Sequence, residues 1–176
     1  MSEDIKKIGI PTTAIAMALL MIAPASLGAF AIAPTDTTRS GGLHFVGQPD
    51  LQVVKTDDTA FLRVTGEVAG AGTGGTATLS STAIVTVGCI TPPGNNEPTG
   101  LQTDTQTVLG TADLEITRQG RGTFDVQTTE VTIPSDFECP SANMEETLVS
   151  VLFTEIVLTI NAQTGTITAT FEDVDP

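Results

Sequence analysis

The chain of 176 residues is long enough for one domain with its own core. It carries 21 Asp and Glu against 7 Lys and Arg, for a net charge of −14. That charge disfavours nucleic acid and anionic membrane surfaces, both of which are held through Lys and Arg. Trp and Tyr are absent, which removes the amphipathic rings that sugar sites and protein interfaces favour and leaves Phe as the only aromatic.

Residues 1–31 read as a signal peptide. Lys6 and Lys7 form a positive start, partly offset by Glu3 and Asp4, and the stretch from Ala14 to Ala33 is uncharged and rich in Ala, Met, Leu and Ile. Ala29 and Ala31 supply the A-x-A pattern of a cleavage site, and Pro24 breaks the apolar run ahead of it. The mature chain is expected to begin at Ile32, because a cut after Ala33 would place Pro34 next to the bond. An uncleaved membrane anchor is the alternative, since about 20 apolar residues suffice to span a bilayer. Cleavage removes two bases and two acids, so the charge stays at −14.

Residues 32–43 combine Pro, Gly, Ser and Thr without periodicity and read as a flexible lead-in. From residue 44 to 176 the chain reads as one β-domain. In Thr76–Val87 the residues Ala77, Leu79, Ala83, Val85 and Val87 share one face, while Thr76, Thr78, Ser80, Thr82 and Thr86 share the other. The run Thr107–Arg118 turns Val108, Ala112, Leu114 and Ile116 inward. Ala60–Val68, Gly122–Val131 and Thr166–Phe171 alternate in the same way. Leu148–Ile160 is apolar on both faces near Val149–Phe153, the pattern of a central strand covered on both sides. Gln119-Gly120 and Gln163-Thr164-Gly165 mark hairpin turns. The expected fold is all-β: a single antiparallel two-sheet sandwich of about seven or eight strands, preceded by a helical signal peptide.

Cys89 and Cys139 are the only cysteines, each at the end of a strand-like run beside a Pro-containing loop. An even count in an exported chain reads as a disulfide. Two Cys and one His are too few for a zinc site, and no C-x-x-C redox pair is present.

Several segments, in order, resemble a group of small secreted proteins common in actinobacteria. They are His44-Phe45-Val46-Gly47-Gln48-Pro49, Val64–Gly70, the Cys89 loop with Pro92-Pro93-Gly94-Asn95-Asn96 and Pro98, Arg121-Gly122-Thr123-Phe124, Phe137-Glu138-Cys139-Pro140-Ser141, and the strand Val149–Ile160. The likeness runs from about residue 44 to 171 and implies a secreted, disulfide-bridged β-domain. It carries no activity and no functional residues with it. Glu155 stands where that pattern has Asn, and Ala142-Asn143 where it usually has Gly.

Candidate chemistry is sparse. His44 is the only histidine, and with no G-x-S-x-G to mark a nucleophile a structural role is expected rather than a catalytic one. Acids cluster at Asp57-Asp58, Glu145-Glu146 and Glu172-Asp173-Val174-Asp175. Ca²⁺ takes six to eight oxygens, and Asp57, Asp58, Glu172, Asp173 and Asp175 are the side chains that would supply them. The spacing matches no calcium loop, and solvated turns are the expectation. Gly70–Gly75 lacks the Lys and following helix of a phosphate loop and reads as a flexible strand connection. The leading expectation is therefore an exported, non-enzymatic extracellular or cell-surface protein, adhesive or structural, with no cofactor. A binding module for Ca²⁺ or a cationic partner is the alternative, and a hydrolase with an unrecognised site the third reading.

Overall fold

Alternation in the longest Thr-rich run builds the centre of the molecule. In the computed structural model, which describes residues 32–56, 58–92 and 97–176, Ala77, Leu79, Ala83 and Val85 are fully buried and the Thr residues between them face outward. The strands are β1 (Asp36–Arg39), β2 (His44–Phe45), β3 (Asp50–Lys55), β4 (Thr59–Ala69), β5 (Gly75–Ile90), β6 (Thr99–Asp113), β7 (Glu115–Ile116), β8 (Arg121–Gln127), β9 (Val131–Thr132), β10 (Glu145–Ala162) and β11 (Gly165–Thr170). Eight of them have four residues or more, and every regular element among the described residues is a strand. The signal-peptide expectation falls on residues outside the described ones. Among the described residues no helix is long and apolar enough to cross a membrane.

Two antiparallel sheets face each other. One runs β1-β11-β10-β5-β6; the other runs β2-β4-β8-β7, with β3 and β9 also paired to β4. Phe153, Leu79, Leu158 and Ile160 from the first sheet meet Leu51, Leu62, Val64 and Val68 from the second in one continuous core. Burying each such side chain contributes about 1.5–3 kcal/mol. The disulfide joins Cys89, at the end of β5, to Cys139 in the segment before β10. Such a bond belongs to an oxidising compartment.

Three sequence expectations are corrected. The lead-in 32–43 is not a loose segment: Ile32 bridges to Leu51, β1 pairs with β11 in full register, and Leu43 is fully buried. All four β1 residues are exposed, so an edge strand held by its backbone leaves no periodic trace. The run Thr107–Arg118 is split at Leu114, where the chain leaves β6 in one sheet for β7 in the other. Leu114 and Ile116 keep pointing into the shared core across that change, so the alternation continues unbroken. Finally, β10 is central in its sheet but uncovered outside. Register shifts at Leu148/Ser150 and Thr154/Val157 each insert one extra residue, and Leu152 is left 37% exposed.

The sandwich is closed on one side and gapped on the other. Along β6, Thr129 N–H donates to Leu109 O at 3.0 Å, and Gln106 Nε2 donates to Thr132 O at 2.9 Å. Gly110 lies against the Gln127–Thr128 backbone there, where a Cβ would overlap it. On the opposite side, β1 of one sheet and β2 of the other line a cavity. Gly70–Gly75 is a strand connection, but a pinned one. Ala71 N–H donates to Gly120 O at 3.1 Å, Thr73 Oγ1 donates to Gln163 Oε1 at 3.1 Å, and Thr164 Oγ1 donates to Gly70 O.

Candidate functional site

The residues singled out by chemistry do not converge. His44 begins the register of β2 with β4, and its Nδ1 lies 3.1 Å from Gly42 O. A carbonyl only accepts, so Nδ1 is the donor. Asp58 sits in the β3–β4 turn, which Thr56 and Thr59 hold through a 2.9 Å hydroxyl contact; Asp57 lies outside the described residues. Glu172, Asp173 and Asp175 flank Val174, which exchanges backbone hydrogen bonds of 2.8 and 2.9 Å with Phe153. Glu145 and Glu146 open β10 opposite Ile90 and Cys89. Among the described residues no group of three or more His, Cys, Asp or Glu side chains is placed to hold a metal ion.

What the register does assemble is a face. On the outside of the five-stranded sheet, Thr38, Thr168, Thr159, Thr78 and Thr111 form one row across all five strands. The next rows along β5 are Asp36, Thr170, Val157, Ser80 and Leu109, then Thr154, Thr82 and Thr107. Leu152, Ile84 and Thr105 follow, and then Ser150, Thr86 and Thr103. Beyond them Leu101, Pro98 and Val149 close over Gly88, whose missing side chain leaves the room: a Cβ there would lie 2.9 Å from Leu101 Cδ2. All-hydroxyl rows thus alternate with mixed rows that carry Val157 and Leu109, then Leu152 and Ile84. Rows stand about 6.8 Å apart and strands about 4.8 Å apart.

Charge is nearly excluded from this face. Asp36 lies on an outer strand, Asp113 ends the Thr166, Asn161 and Thr76 row on the other, and Glu155 sits at the second bulge, accepting from Thr82 Oγ1 at 3.2 Å. The outer face of the other sheet is the opposite. There Arg63 pairs with Asp125, and Arg121 Nη1 with Glu67 Oε1 at 3.0 Å. The hydrogen bond from Arg63 holds the Asp125 carboxyl below its usual range and raises the guanidinium in return. The exposed apolar side chains Ile84, Leu101, Leu109 and Leu152 all belong to β5, β6 and β10. The Thr alternation of β5 was readable from sequence; its alignment over five strands was not, since it depends on register.

No known family model matches the chain, and no curated protein sequence is significantly similar to it.

Proposed function

We propose that this chain is an exported, non-enzymatic structural protein of the cell exterior that associates with copies of itself through the outer face of the five-stranded sheet. The observation that carries the reading is the sparseness of charge on that face, which holds Asp36, Asp113 and Glu155 at its margins and bulge and no base, in a chain of net charge −14. Its banded Thr and aliphatic rows cover about 750 Å² by strand and row spacing, close to the ~800 Å² per partner of a stable interface. Ile84 and Leu152 stand at its middle, each 37% exposed, and Leu101 and Leu109 at its β6 side, 58% and 52% exposed. Export is supported by the Lys6-Lys7 start, the apolar run, Ala29 and Ala31, together with the disulfide of an oxidising compartment.

Self-association of this kind brings two strongly negative bodies together over a contact with few charges, all of them acidic, so salt strengthens it by screening the repulsion between them. Sedimentation velocity from 0.05 to 1 M NaCl tests this. The expected result is a monomer at low salt and a growing dimer or larger species at high salt, abolished by Ile84→Lys or Thr159→Lys with an unchanged melting midpoint. A monomer at millimolar chain and 1 M salt overturns it. The charge itself favours a second reading, a cationic partner or divalent cation bound at the acidic turns. That binding has the opposite salt dependence, weakening as salt rises.

A further inference from the structure

We propose that the mouth of the sandwich between β1 and β2 is a binding pocket for a small carboxylate with an apolar body. The cavity there measures about 390 Å³, within the range of small-molecule sites. Arg39, at the end of β1, and His44, at the start of β2, line it from the two sheets, with Gln48 beside them and Phe45 and Ile167 as its apolar wall.

The charge pattern is what distinguishes it. No Asp or Glu lines this cavity, although acids outnumber bases threefold in the chain, 21 to 7. The second cavity, near β4, β7 and β8, is lined by Asp113, Glu115 and Asp125 with no base at all. Among the described residues Arg63 is engaged by Asp125, Arg121 by Glu67, and Lys55 Nζ by Val149 O at 3.3 Å, while Arg118, in the β7–β8 turn, lines neither cavity. Arg39 has no ionic partner among the described residues and stands in the register opposite Ile167, so its guanidinium is left for a ligand. A guanidinium presents two parallel N–H donors that fit a carboxylate in bidentate fashion. His44 is fixed at its Nδ1 by Gly42 O, which holds the ring in place as one wall of the cavity. The apolar end of the ligand is covered by Phe45, itself braced against Phe124 with ring centroids 6.3 Å apart. Neutral ligands gain the apolar contact alone; a carboxylate gains both.

Phenylacetate and its uncharged amide, phenylacetamide, are the probes. Both are titrated into the isotopically labelled protein at 0.15 M salt, where charges beyond about 8 Å are screened and Arg39 acts locally. The expected result is that phenylacetate shifts the resonances of Arg39, His44, Phe45 and Ile167 together, with the amide at least tenfold weaker. Arg39→Gln abolishes the difference between acid and amide, and Arg39→Lys, which keeps the charge but not the fork, weakens the acid several-fold. Arg39 is exposed on an edge strand, so both variants keep the wild-type melting midpoint. Equal binding of acid and amide, an unaltered acid affinity in Arg39→Gln, shifts confined to other surfaces, or no shift at all up to 50-fold ligand excess each overturns the proposal.

Discussion

Ser81 donates its hydroxyl to the carbonyl of Thr154 at 2.8 Å, from the buried face of β5 to the bulged turn of β10. Ser81 is the one polar side chain in the inward row of β5, and it is 3% exposed. The bulge between Thr154 and Val157 interrupts the ladder at that carbonyl, and a hydroxyl on the core side satisfies it. Ser81→Ala removes this bond to a part-buried carbonyl and is expected to cost about 0.5–1.5 kcal/mol. Ser80→Ala, on the outer face one residue away, is expected to stay within about 0.5 kcal/mol. Urea denaturation of the two variants makes the comparison.

Glu155 occupies that bulge with φ of +52°, the only non-glycine residue in the left-handed region among the described residues. A side chain with a Cβ costs about 1–2 kcal/mol there, and Asn is tolerated better than Glu. Glu155→Asn is therefore expected to raise stability by about 0.5–1 kcal/mol, read as a higher urea midpoint at unchanged slope.

Gly110 is needed for space rather than for freedom. A Cβ there would overlap the Gln127–Thr128 backbone, which cannot move without breaking the Thr129 bond to Leu109. Gly110→Ala is expected to cost about 1–3 kcal/mol as overpacking, and hydrogen exchange should show Thr129 losing protection first.

The disulfide spans 50 residues. In the loop-entropy model, cross-linking at that separation stabilises by about 4 kcal/mol. Replacing both cysteines with Ser is expected to lower the unfolding free energy by about that amount and to leave the sheets intact under mild conditions. Thermal melts with and without reductant give the measurement.

Arg63 and Asp125 predict a small pH effect of definite sign. The folded Asp125 carboxyl titrates lower than in the unfolded chain because Arg63 hydrogen-bonds it. Its contribution is therefore complete above the unfolded value of about 3.9 and fades as pH falls through the folded value below that. Both side chains are about half exposed, 44% and 52%, so the contribution stays under about 1 kcal/mol. The stability gap between wild type and Arg63→Gln is expected to be constant above pH 5 and to close below pH 4.

The sequence carried the elements with one buried face and lost those without. Thr76–Val87 and Ala60–Val68 were legible because every second residue is core. β1 was not, since all four of its side chains are exposed and only its backbone holds it. In β10 the extra residues at Val149 and Glu155 change the phase twice, and a period of two cannot follow that. The rows of the Thr face were hidden for a related reason: Thr beside Thr gives no hydrophobic mark of register. Arg39 and His44 lie five positions apart along the chain and on different sheets, and only the crossing of the lead-in brings them to one cavity.

The pairing of β1 with β11 has a mechanical consequence. Asp36, where β1 begins, sits directly opposite Thr170, where β11 ends. A pull that separates these two points loads the hydrogen bonds of that seam one pair at a time, as in opening a zip, instead of shearing them all at once. The first pair to yield is Asp36 with Thr170, and Arg39 with Ile167 is the last. A domain held at both ends would thus release β1 under a weak tension once the short Ile32–Leu51 and Val174–Phe153 bridges outside it have opened, while the bonds between β5 and β10 stay unloaded. In a force-extension record this would appear as a short early lengthening ahead of the main rupture.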